Sequence, residues 1–183
     1  MRAFLALGLP GDIREYLSAT TQTLSQRISG VKWVKAEGLH VTLKFFGEIS
    51  EKKAEEINGA LKGIDAQYKA IPVRLKEINA FPDLLRPRVI VVTFHEGVDI
   101  VKTIFHDIEN RLLAAGIQKE GRKFIPHITL GRVKNALPLL KKNITPLEEK
   151  RFFLDNLVLY QSTLTREGAF YAPLEKIKLE RDA

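Results

Sequence analysis

One phrase occurs twice in this chain and constrains it most: His-Val-Thr-Leu at His40–Leu43 and His-Ile-Thr-Leu at His127–Leu130. Two of the chain's 4 histidines open these phrases. Each phrase lies in a strand-like run, LHVTLKFFG and FIPHITLGRV. Side chains alternate faces along a strand. His40 and Thr42 therefore share one face, with Val41 and Leu43 on the other. His127 and Thr129 oppose Ile128 and Leu130 in the same way. Each strand offers an imidazole and a hydroxyl to one side and anchors itself by branched apolar residues on the other. One such phrase alone reads as a hydrogen-bonded polar residue on a strand, where Thr is at home anyway. Two in matching positions point to a shared site.

The order of elements around the phrases also repeats. Arg2–Leu9 reads as a strand, broken by Pro10-Gly11. Asp12 then caps a helix with Ile13, Leu17, Leu24 and Ile28 inward, ended by Gly30. After the first phrase, Ser50 caps a helix to about residue 64, with Ala54, Ile57 and Leu61 inward. Ile71–Phe81 is a third strand, and FPDLLRPR is the crossover to the second half. There, Arg88–His95 is a strand and Asp99 starts a helix with Val101, Ile104, Ile108 and Leu112 on one face, ended by Gly116. The second phrase follows, then a short helical piece at Pro138–Lys142. The closing strands FFLDNLVLYQSTL and AFYAPLEKIKLE read as an antiparallel pair. The expected fold is α+β: one bilobal, duplicated domain over residues 1–183. Antiparallel sheets line its central cleft and helices cover the outside.

Composition narrows the chemistry. There is no cysteine, which excludes disulfides, thiolate catalysis and Cys-ligated metals and suits a cytoplasmic protein. No apolar run approaches the ~20 residues of a membrane span. The net charge of +7 and pI of about 9.6 suit a polyanionic partner.

Two facing phrases bring together two imidazoles and two hydroxyls. Imidazole titrates at about 6.5, so one ring can act as base while the other acts as acid. The hydroxyls can donate to an anionic oxygen. This set suits phosphoryl transfer without a metal. Two histidines are too few for a catalytic zinc, and no further ligand motif accompanies them. His95 and His106 read as a strand end and a solvated helix position.

Both phrases in their context resemble the 2H phosphoesterase superfamily. Within it the chain resembles the RNA 2′,3′-cyclic phosphodiesterases, also called 2′-5′ RNA ligases. The resemblance runs through RAFLALGLP, VKWVKAEGLHVTLKFFGEI, GRKFIPHITLGRV and LYQSTLTREGAFYAPL. It implies hydrolysis of an RNA 2′,3′-cyclic phosphate end to a 2′-phosphate, without cofactor or metal, and also joining such an end to a 5′-hydroxyl. It implies that His40 protonates the leaving 3′ oxygen, His127 activates water, and Thr42 and Thr129 hold the phosphate. It assigns base stacking to Phe45 and a phosphate contact to Arg132, each five residues past a histidine. Strict alternation puts both on the core face, so they reach the cleft only through a twist or bulge. Lys44 shares the His40 face on the same count and is a further phosphate candidate. Trp33 reads as a packing anchor or a stacking surface, Arg122 and Lys123 as cleft lining, Ser162 and Tyr171 as structural.

The expected partner is RNA with a cyclic phosphate end, acted on by a monomer with no membrane attachment. Two alternatives stay open. One keeps the chemistry on a small cyclic nucleotide or ADP-ribose cyclic phosphate. The other is a non-catalytic RNA-binding module, which needs basic charge but not paired imidazoles.

Overall fold

The computed structural model describes residues 1–135 and 137–182. In chain order the elements are β1 Arg2–Gly8, α1 Gly11–Ser25, β2 Val31–Trp33, β3 His40–Glu48, α2 Glu51–Leu61, α3 Ile64–Gln67, β4 Ile71–Phe81, β5 Val89–Glu96, α4 Val98–Ala114, β6 His127–Val133, β7 Arg151–Leu154, β8 Asn156–Thr165 and β9 Gly168–Lys178. Short 3₁₀ turns stand at Ala36–Gly38 and Lys141–Asn143.

The strands form two antiparallel sheets, ordered β3-β1-β8-β9 and β2-β6-β5-β4-β7. This is the α+β, two-sheet architecture that the duplicated pattern predicts. The lobes, however, are not the two halves of the sequence. β4 comes from the first half but lies in the second sheet, while β8 and β9 return to complete the first. The reason is local. β4 and β5 are consecutive strands joined by a short Pro-containing link, and such strands pair as antiparallel neighbours. The first sheet is then left to be closed by the last strands of the chain.

The helices turn their apolar stripes inward. Ile13, Leu17 and Leu24 of α1, Ala54, Ile57 and Leu61 of α2, and Val101, Ile104, Ile108 and Leu112 of α4 are buried. Ile28 lies beyond the end of α1, which stops at Ser25. The Ser50 hydroxyl accepts from the Lys53 backbone at 3.1 Å, as a cap should. Asp12 and Asp99 do not cap. Each is the second helical residue, behind Pro10 and Gly97, where a carboxylate still faces the positive end of the helix. Gly97 is required there: its φ is 84°, and a Cβ would stand 2.5 Å from the Pro72 carbonyl oxygen. The second helix divides at Gly63 into α2 and α3, and the segment after Gly30 forms β2, a strand too short to show a pattern. The helical piece near Pro138–Lys142 is the 3₁₀ turn at Lys141–Asn143. Among the described residues no helix is long and apolar enough to cross a membrane.

β3 and β6, the strands that carry the repeated phrase, run close to each other where the sheets meet, and α2 touches α4. The two histidines thereby come from different sheets into one place.

Candidate active site

The two phrases sit in the same register. Along β1 and β3, Gly8, Leu7, Ala6, Leu5 and Phe4 face His40, Val41, Thr42, Lys44 and Phe45. Along β5 and β6, Thr93, Val92, Val91, Ile90 and Val89 face His127, Ile128, Thr129, Gly131 and Arg132. Both ladders skip one residue, Leu43 or Leu130, between Thr and the position two after it. A bulge of one residue reverses the alternation beyond it. Leu43 and Lys44 are therefore both buried, as are Leu130 and Gly131. The next residues, Phe45 and Arg132, turn back to the histidine side. Phe45 is 62% exposed, and its ring lies 5.8 Å from that of Phe4, which stacks on His40 at 4.8 Å. Arg132 is exposed, and its charge acts against protonation of His127.

Lys44 does not share the histidine face. The bulge turns it to the buried side, where Nζ lies 2.7 Å from a Glu109 carboxylate oxygen of α4 and donates to the Gln118 carbonyl at 2.9 Å. Glu109 also accepts from the Glu120 backbone at 2.5 Å. The equivalent position in the other lobe is Gly131. A Cβ there would stand 2.5 Å from Val31 Cγ1 and 3.0 Å from Trp33 Cε3. β2 pairs with β6 alongside this bulge, with Trp33 opposite Gly131, and Trp33 packs against the core there. Of the apolar residues just before the two histidines, Leu39 is 2% exposed and Ile125 is 45% exposed. Arg122 and Lys123 line a pocket of about 390 Å³ against α4, together with His106. That pocket does not include either phrase.

The two imidazoles are held alike and surrounded differently. His127 Nδ1 donates to the Ile125 carbonyl at 2.7 Å, which leaves Nε2 to accept a proton. His40 is likewise bonded to the backbone of the residue two before it, Gly38, and its Nε2 lies 2.9 Å from Thr42 Oγ1. His40 sits among aromatic rings: Phe4 stacked on it, Tyr171 edge-on at 5.5 Å and Tyr160 at 6.2 Å. His127 meets one ring, Phe81, edge-on at 5.0 Å. Burial pushes the His40 pKa down to about 4, the Gly38 bond opposes this, and the nearness of His127 adds to it. Burial also lowers His127, with Arg132 contributing.

Phe4, Tyr160, Tyr171 and Phe81 form the walls, and the repeated phrase does not reveal them. Tyr171 packs against both His40 and Phe4, so its structural role is carried out at the site itself. Phe4, Tyr160 and Tyr171 fall within the stretches that carry the family resemblance, but apart from that their signal is an aromatic residue on a strand, and knowing which strands flank the phrases requires the pairing.

Paired His/Thr strands brought together from two sheets define a two-histidine phosphoesterase. The model of the LigT like phosphoesterase family matches residues 7–91 and 96–171, and the chain belongs to that family. A Methanocaldococcus jannaschii protein described as RNA 2′,3′-cyclic phosphodiesterase is 34% identical over 181 residues, covering 96% of this chain and 99% of its own. One of the same description from Aeropyrum pernix is 35% identical over 153 residues, 81% of this chain and 86% of its own. The crystal structure of TT0787 of Thermus thermophilus has a TM-score of 0.83 at 26% identity, over 100% of both chains. That of E. coli LigT with 3′-AMP has a TM-score of 0.77 at 23% identity, over 97% of both, and shows the shared fold.

Proposed function

We propose that this protein opens 2′,3′-cyclic phosphate ends of RNA to 2′-phosphates, using His40 and His127 as the acid–base pair and no metal. The observation that carries the reading is the identical register of two His/Thr strands around imidazoles of unequal burial. The relatives described as RNA 2′,3′-cyclic phosphodiesterases supply the substrate class.

Water attacks phosphorus as His127 Nε2 takes its proton. The bond from phosphorus to the 3′ oxygen breaks, and His40 gives that oxygen a proton. A 2′-phosphomonoester and a free 3′-hydroxyl result. Thr129 and Thr42 donate to the non-bridging oxygens. Thr42 first has to leave His40 Nε2, and a bound phosphate anion favours that by raising the imidazole's proton affinity. The unequal surroundings support this polarity. An imidazolium of pKa about 4 is a strong donor to a departing alkoxide. Its scarcity at neutral pH is offset when the anion arrives.

Phe45 stacks the terminal base beside Phe4, and Arg132 places a guanidinium by the phosphate. With an RNA 5′-hydroxyl in place of water as the attacking group, His127 takes the hydroxyl proton, the bond to the 3′ oxygen breaks as before, and the same pair makes a 2′-5′ linkage. The reading extends to a monomer of one bilobal domain, since a single chain supplies both histidines. It also extends to the cytoplasm, which the absence of cysteine suits.

The test is a short RNA with a 2′,3′-cyclic phosphate end in EDTA. A 2′-phosphate product from the wild type, absent with His40→Ala and His127→Ala, is the expected result. No turnover of RNA by the wild type, with turnover of a small cyclic phosphate, would replace the substrate. Activity surviving in both variants would remove the histidines from the mechanism.

A further inference from the structure

The end of β1 holds a second pair of polar side chains that the acid–base step does not use. Gly8 pairs with His40, and three residues later Gly11 opens α1. Tyr160 Oη stands 4.0 Å from the place a Gly8 Cβ would take, and Arg14 Nη2 stands 3.9 Å from that of Gly11. Gly8 and Gly11 are at most ~11 Å apart along the chain. The Arg14 charge acts on the Tyr160 phenol, which burial otherwise keeps protonated to higher pH. Among the described residues Arg14 makes no ion pair. Its guanidinium and the phenol thus stand beside two glycines, where a ligand can approach the backbone closely.

This feature belongs to one lobe only. In the matching register of the second sheet, Phe81 stands where Tyr160 does: Tyr160 faces Phe4, and Phe81 faces Val89. The fourth residue of α4, matching Arg14 in α1, is the buried Val101. The duplicated scaffold therefore does not require the pair. Its position is beside His40. In the first sheet β3 is followed by β1 and then β8. The ring of Tyr160, on β8, lies 6.2 Å from that of His40. In the proposed reaction the terminal ribose lies on the His40 side, because His40 serves its 3′ oxygen. The next group along that ribose is its 5′ phosphate.

We propose that Arg14 and Tyr160 form an anion subsite for the phosphate on the 5′ side of the terminal ribose. The inference rests on the cyclic phosphodiesterase reading above. The guanidinium supplies a charged fork and the phenol one O–H donor. The subsite distinguishes an RNA end from a nucleoside cyclic phosphate that lacks a 5′ phosphate.

The test compares uridine 2′,3′-cyclic phosphate with its 5′-phosphorylated form. The proteins are the wild type, Arg14→Gln, Tyr160→Phe, and Lys52→Gln on the exposed face of α2 as a charge control. With the 5′-phosphorylated substrate, kcat/KM is expected to fall roughly tenfold or more in Arg14→Gln and several-fold in Tyr160→Phe, mainly through KM. With the unphosphorylated substrate both variants stay within about twofold of wild type, and Lys52→Gln changes neither. Thermal melts check that the variants fold. A loss shared equally by both substrates, or seen with neither, overturns the subsite while leaving the enzymatic reading intact. No turnover of either substrate by the wild type sinks the enzymatic reading and the subsite with it.

Discussion

The β1–β3 and β5–β6 pairs have one backbone and two characters. Residue for residue their ladders agree, including the skipped leucine. What differs is what surrounds them. One histidine is wrapped in Phe4, Tyr160 and Tyr171, while the other meets Phe81 and an arginine's field. The position after the bulged leucine holds an ion-paired lysine in one lobe and, in the other, a glycine packed closely against Val31 and Trp33. A repeated backbone delivers two imidazoles to one place, and the neighbours it does not repeat give them different surroundings, on which the proposed division of tasks rests. A strictly symmetric site would give two equal imidazoles and no preferred direction of proton flow.

The largest test of this division removes each histidine. His40→Ala and His127→Ala should each lower kcat about 10²–10⁴-fold, and the double variant should be little worse than either single one. The residual rates should part with pH. Without His127, what remains depends on protonated His40 and falls as pH rises. Without His40, the residual rate rises with pH as His127 loses its proton. Parallel residual profiles would break the proposed division of labour.

The two bulges come next. Lys44→Met leaves Glu109 buried without its partner and should cost ~3–5 kcal/mol, read by chemical denaturation. Gly131→Ala forces Val31 and Trp33 apart and should cost ~1–3 kcal/mol. Replacing Lys44 and Glu109 together by apolar residues should recover most of the first loss. Equal costs for the two single substitutions would mean that the bulges are held in the same way.

The bulges also mark where sequence reasoning ran short. The histidine and threonine pairs, the strands bearing them and the inward faces of α1, α2 and α4 are written in short-range periodicity, and they are legible. Alternation applied past Leu43 put Lys44 in the cleft and Phe45 in the core, and the ladder reverses both. A bulge is fixed by the partner strand, so nothing within HVTLKFF announces it. β4's crossing to the second sheet and the aromatic walls on β8 and β9 are likewise products of pairing between distant segments.

Phe45 and Arg132 hold the same register position with unlike side chains, so their losses should differ in kind. Phe45→Ala should weaken binding of an RNA end by ~1–3 kcal/mol with little change in salt dependence, as for a lost base stack. Arg132→Gln should reduce the salt slope of binding by about 1. Titration of a non-hydrolysable RNA end at several salt concentrations separates the two, and identical salt slopes would erase the distinction.

The smallest effect sharpens the comparison most directly, because it reads the imidazoles themselves. In NMR titrations of the free protein His40 should lose its proton near pH 4 and His127 somewhat below the ordinary 6.5. Inorganic phosphate should raise both, since an anion favours imidazolium. Tyr171→Ala thins the wall around His40 and should move its pKa back toward 6.5 while leaving His127 nearly unchanged. The sign for stability follows from the same shift. Between about 4 and 6.5 the unfolded chain binds a proton at position 40 that the folded chain refuses. The contribution of neutral His40 is therefore full above 6.5, declines as pH falls through that window, and levels off below about 4. His40→Gln, which cannot titrate, should flatten this part of the stability curve, whereas His127→Gln should flatten it less because that ring is less deeply enclosed. Equal flattening by the two would show that the aromatic wall is not what separates the histidines, and the asymmetry would then have to arise only when the substrate binds.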